Sequence, residues 1–171
     1  SRTGLREERG GAKATCFSIG DLPTPETRTD GRTLDAGQVW DNYAHFIKTV
    51  MPVAERNGIR MGLHPDDPCL PSLGGFARIF GSVEAYDRAY SIYPSESNAV
   101  TFCQANFKLM DCAKKASSDP TDALDGMVRH FGKRIAFAHV RDVEGTKENF
   151  VELFHDQGDV DQFALMRTYR E

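Results

Sequence analysis

Short apolar runs alternate along the chain with longer stretches of three- and four-residue apolar spacing, the rhythm of strands followed by helices. Residues 12–19 (AKATCFSI) read as a first strand, and the charged, Gly-rich segment over 1–11 reads as irregular because it shows no periodicity. The Pro-, Thr-, Asp- and Gly-rich stretch over 21–31 reads as an extended loop. Over 35–57, Val39, Tyr43, Phe46, Ile47, Val50 and Val53 recur at helical steps, with Asp35 as N-cap and Gly58 as the stop. Pro52 inside that pattern predicts a kink or break near Met51.

The next run, IRMGLHPDDP over 59–68, alternates Ile59, Met61 and Leu63 against Arg60, Gly62 and His64, and then stops at two aspartates and two prolines. Pro65, Pro68 and Pro71 make 65–75 a stiff loop above the strand end. Ser82 caps a helix to about residue 93, with Val83, Tyr86, Ala89, Tyr90 and Tyr93 as its buried stripe. A strand over 98–103 (NAVTFC) precedes a short helix around 108–115, and a helix over 121–131 ends at Gly132. Another strand follows over 134–140. Residues 141–158 read as loop with a strand at 150–154, and 161–171 opens a last helix.

Strand and helix thus alternate at least three times with no Asn-Gly hairpin signal between neighbouring strands, which predicts parallel α/β packing. A closed (β/α)₈ barrel takes about 250 residues, so the 171-residue chain reads as one partial TIM-barrel domain lacking N-terminal and C-terminal barrel segments.

Composition narrows the partners. A net charge of −4 and a pI near 5.7 give no general attraction to nucleic acid or an anionic membrane, and no apolar segment approaches the roughly 20 residues of a membrane span. Cys16, Cys69, Cys103 and Cys112 form no CxxC pair and read as reduced thiols. These features point to a cytoplasmic protein acting on a small molecule.

The candidate chemistry lies at three strand ends. His64, Cys103 and His139 each close a short β-prone run, at intervals of 39 and 36 residues, about the length of a βα unit. In parallel α/β folds ligands gather at such ends, and imidazole with thiolate suits Zn, Fe or Co and accepts Mn. Singly, each residue reads as structural, as His45 and His130 do on their helices; in phase, the three read as ligands of one ion, with Asp66 or Asp67 near them as outer partners or turn formers. The sequence contains no G-x-G-x-x-G, G-x-S-x-G or P-loop pattern.

The series HPDDP, LGGFARI, TFC, FGKRIAFAHVR and FHDQGDVD, in that order over 58–161, resembles the mannonate dehydratase family of metal-dependent, xylose-isomerase-like TIM barrels. The resemblance implies that His64, Cys103 and His139 bind a divalent ion, Mn²⁺ first and Fe²⁺ or another ion second. It implies a fourth ligand, an aspartate in an R-P-D-H-G segment beyond the position of Arg170. It implies dehydration of D-mannonate to 2-keto-3-deoxy-D-gluconate in hexuronate catabolism. Arg141, two residues past His139, is the candidate for the substrate carboxylate, and Asp66 and His155 are candidates for hydroxyl binding or proton transfer. A sugar isomerase or epimerase on the same fold, and a noncatalytic chain that self-associates through its sheet edges, are the alternatives. A homo-oligomer is expected.

Overall fold

The computed structural model describes residues 2–22 and 31–171. In chain order, β1 (Gly4–Glu7) and β2 (Lys13–Ser18) precede α1 (Ala36–Arg56), β3 (Met61–Leu63), β4 (Ser72–Leu73), β5 (Phe76–Ala77) and α2 (Val83–Ile92). Then come β6 (Asn98–Cys103), α3 (Gln104–Leu109), α4 (Asp111–Ala116), α5 (Pro120–Phe131), β7 (Ile135–His139), β8 (Asp142–Thr146), β9 (Asn149–Leu153) and α6 (Gln162–Arg170). The fold is mixed α/β. A parallel sheet runs β3–β6–β7, an antiparallel sheet runs β1–β2–β9–β8, and β4 and β5 pair as a small hairpin.

The parallel sheet is the part the periodicity foretold. β6 is its central strand and is buried along nearly its whole length, which fits the continuous run NAVTFC rather than an alternating one. The helix caps also hold: Asp35 accepts from the Gln38 N–H while the Gln38 side chain accepts from the Asp35 N–H, a closed capping box. Ser82 caps α2 by accepting from the Ala85 N–H, and α6 has a cap the sequence reading did not name, Asp161 accepting from the Ala164 N–H.

The antiparallel sheet corrects the expectation of parallel strands throughout. The segment read as irregular over 1–11 contains β1, which pairs with β2 and is exposed along its length, so it carries no apolar signal. The segment 141–158 is not loop with one strand: β8 and β9 form a hairpin closed by Lys147 and Glu148. Neither residue is a turn former, and the backbone freedom sits instead at Gly145, with φ 116°. Within the stiff loop expected over 65–75, Gly74 and Gly75 (φ 61° and 82°) turn the β4–β5 hairpin, a Gly-Gly signal over strands too short to show a pattern.

α1 differs in two ways. It continues through Pro52 without the expected break, since the missing N–H frees only the carbonyl of Lys48, on an exposed part of the helix where solvent replaces it. Its buried stripe is Trp40, Ile47, Met51 and Ala54, while Phe46 and Val53 are each 49% exposed. The rotation is set by the edge-on packing of Trp40 and Tyr43 against Phe80, with ring centroids 5.5 and 5.0 Å apart. The loop expected over 21–31 falls almost entirely outside the described residues.

The main core lies between β6 and the helices that follow it. Phe102 stacks on Phe107 at 4.4 Å, and Phe131 and Tyr86 close around them with Leu124 and Leu165. Phe17, Val143 and Phe150 extend the same core under the antiparallel sheet. Beneath it, Lys108 donates to Asp142 Oδ1 and to the Val143 carbonyl, both at 2.7 Å, and pairs with Asp159. Gly158 passes so close that a Cβ there would overlap the Asp142 carboxylate. Among the described residues no helix is long and apolar enough to cross a membrane.

Candidate metal centre

Parallel pairing sends the ends of β3, β6 and β7 to one edge of the sheet. Cys103 stands opposite His139 in the register, and His64 directly follows the last residue of β3. The ligand atoms of His64, Cys103 and His139 all lie within 4.8 Å of one another. Two donors bonded to one ion at about 2.0–2.3 Å lie at most about 4.6 Å apart, so these separations are near what a shared ion requires. Cys103 is fully buried and forms the floor, His139 is half-buried, and His64 stands at the mouth.

The local contacts set which atoms face inward. With Nδ1 as its N–H, His64 donates to the Pro65 carbonyl at 2.7 Å, which leaves Nε2 as the lone-pair donor. Its proton affinity is raised, first by the hydrogen bond with the Cys103 sulfur and against the pull of burial. His139 moves the other way: desolvation lowers it, and the neighbouring His64 and Arg141 charges lower it further. Two imidazoles and a thiol on three neighbouring strands form a donor set that fits a divalent ion.

The other candidates divide. Arg141 is buried, and its Nη1 donates to Asp67 Oδ2 at 3.2 Å and to Asn106 Oδ1 at 3.4 Å. Asp66 is not part of the donor cluster: its Oδ2 accepts from the Phe80 N–H at 2.8 Å and its Oδ1 lies 3.4 Å from Arg78. Burial lifts its proton affinity above the ordinary carboxylate value despite those partners. His155 is exposed beyond β9, with Nε2 3.1 Å from the Val140 carbonyl, and does not join the cluster.

Sequence reasoning missed the partners of Arg141. Glu152 Oε1 lies 2.8 Å from its Nε, and Arg2 bridges the same two carboxylates, 3.2 Å from Asp67 and 2.7 Å from Glu152. One signal was available: Phe150 and Glu152 are two apart on β9 and so share a face, and Arg141 also lies over the Phe150 ring. Burial pushes the Asp67 and Glu152 carboxyls up, but their bonds and charges from Arg2 and Arg141, with Thr15 at Glu152, outweigh it and hold both below their ordinary values. Carboxyls depressed by folding add stability that is complete above their unfolded values of 3.8 and 4.5 and is lost as pH falls through the lower folded ones. The melting temperature is therefore expected to lose this contribution below pH 4.5, and an Asp67→Asn, Glu152→Gln variant to show a shallower acid slope in a thermal scan; equal slopes would refute it.

The D-mannonate dehydratase (UxuA) family model matches residues 25–171. The chain belongs to the D-mannonate dehydratase family. It is 32% identical over 142 residues to a mannonate dehydratase of Streptococcus agalactiae serotype Ia, covering 81% of this chain and 38% of that protein. Against the mannonate dehydratase of Lachnoclostridium phytofermentans it is 32% identical over 146 residues, covering 82% of this chain and 38% of the relative. The crystal structure of mannonate dehydratase from Streptococcus suis serotype 2 superposes with a TM-score of 0.77 at 26% identity, over 98% of this chain and 48% of that one. The chain thus spans well under half the length of these curated relatives. The resemblance read from the sequence is borne out at the level of the family, which is one of hydro-lyases.

Proposed function

We propose that this chain carries the divalent-metal site of an enzyme that dehydrates D-mannonate to 2-keto-3-deoxy-D-gluconate, and that its sheet is part of a (β/α)₈ barrel. The observation that carries the reading is the convergence of His64, Cys103 and His139 from three neighbouring parallel strand ends in a chain of this family. The ion we infer from the family resemblance is Mn²⁺, with Fe²⁺ as the second choice; imidazole and thiolate donors accept both.

The reaction removes the weakly acidic proton beside a carboxylate and expels the neighbouring hydroxyl. When bound, a divalent ion supplies Lewis acidity that stabilises negative charge developing on the substrate. The residues of the chain provide the setting. Cys103 closes the floor of the site against water, and the Pro65 carbonyl fixes the ring of His64. Arg141 is the group we assign to the substrate carboxylate. Asp66, whose proton affinity is raised by burial, and His155 are our lower-ranked candidates for hydroxyl binding or proton transfer. The partners we propose are a small sugar acid and further copies of the chain. The four unpaired thiols support a reducing, cytoplasmic setting.

Incubating a protein that carries this chain within the full length of its relatives with D-mannonate and Mn²⁺ is expected to yield the keto-deoxy acid, and EDTA to stop it. Mn²⁺ binding without product would sink the dehydratase reading, and undiminished product in EDTA would sink the metal site.

A further inference from the structure

Three further positions lie one layer below the metal donors. Gly62 is two residues before His64, Thr101 two before Cys103 and Phe137 two before His139, and Thr101 stands opposite Phe137 as Cys103 stands opposite His139. The β6–β7 ladder changes register at this level: Val100 pairs with Ile135, but Thr101 pairs with Phe137. The extra residue, Ala136, turns β7 over, so that Ile135 packs on the main core while Phe137, two residues on, lies 60% exposed. In an unbroken register Ala138 would stand opposite Cys103, and His139 would be carried to the other face. On its other side Thr101 meets β3, where its hydroxyl donates to the Gly62 carbonyl at 3.0 Å. A Cβ on Gly62 would come within 2.5 Å of Thr101 Oγ1 and 3.3 Å of the Thr101 backbone N. Gly62 is not among the glycines with positive φ, so it is the close approach of Thr101, and not the backbone, that calls for glycine there.

We propose that Thr101 and Gly62 are positioning residues of the metal centre: the bond from hydroxyl to carbonyl, seated in the space a side chain at 62 would fill, fixes β3 against β6 and so sets the approach of His64 to Cys103. The inference rests on the metal reading above. Neither residue is a donor; each acts through the strand that leads to one, as outer partners that orient a ligand do. Valine suits a strand as well as threonine does, so the hydroxyl is what distinguishes the residue at 101. A role in folding alone would leave the arrangement around a bound ion unchanged in whatever protein folds.

The test titrates the protein with Co²⁺, which suits imidazole and thiolate donors and whose visible absorption reports how they are arranged around it. Thr101→Val keeps the shape and removes the hydroxyl, Thr101→Ser keeps the hydroxyl, and Gly62→Ala fills the space. Thr101→Val and Gly62→Ala are each expected to weaken Co²⁺ binding by about 10-fold or more and to shift the visible band, and Thr101→Ser to stay within about threefold of the unaltered protein. Thr101→Val carries the test whether or not Gly62→Ala folds. Folded Thr101→Val with the affinity and visible band of the unaltered protein, even at a lower melting temperature, would overturn the positioning role and leave the metal site standing. An unaltered protein that takes up no Co²⁺ would overturn the metal reading itself, and the positioning role with it.

Discussion

Replacing Cys103 by alanine is expected to lower Mn²⁺ affinity by more than about 100-fold, beyond the 10- to 100-fold usual for losing only an outer partner of a ligand. The thiol supplies the one anionic donor of the three, and it sits on the buried floor where neither histidine can replace it. His64→Ala is the companion variant. His64 stands at the exposed mouth, so its loss is expected to weaken the ion comparably with little change in folding. Equilibrium dialysis followed by metal analysis, with a melting curve for each variant, separates lost coordination from lost structure. If both variants fold and keep the Mn²⁺ of the unaltered chain, the three strand ends are not a metal site.

The second large effect is on stability. Lys108→Met is expected to cost about 3–5 kcal/mol, because it leaves the Asp142 carboxylate, whose side chain is 0% exposed, without its cation. The total stability of such a domain is about 5–15 kcal/mol, so much of the population would unfold under mild urea. The loss comes from stranding a buried charge rather than from removing a valuable pair. A Lys108→Met, Asp142→Asn double variant is therefore expected to regain part of it. Additive losses in urea titrations would show that the two residues are not coupled as their 2.7 Å contact requires. Asp159, 66% exposed at the outer end of the same lysine, contributes little to this balance.

What the sequence determined by itself was local. Helical spacing, the caps at Asp35 and Ser82, and the continuous apolar run of β6 follow from backbone chemistry and burial along one element, and the structure has each of them. The three donors were legible because a βα repeat brings equivalent strand ends to one edge, whatever loops lie between. Only the tertiary structure decided the rest. Which of two adjacent stripes α1 buries was settled by Phe80 from another element, so Phe46 and Val53 lie outward although their spacing suits the core. The antiparallel sheet was hidden because β1 is exposed throughout and the β8–β9 turn carries no turn residue, leaving pairing as the only signal. The ion pairs around Arg141 join residues up to 150 positions apart, Arg2 to Glu152, and no local pattern encodes an ion pair formed by folding.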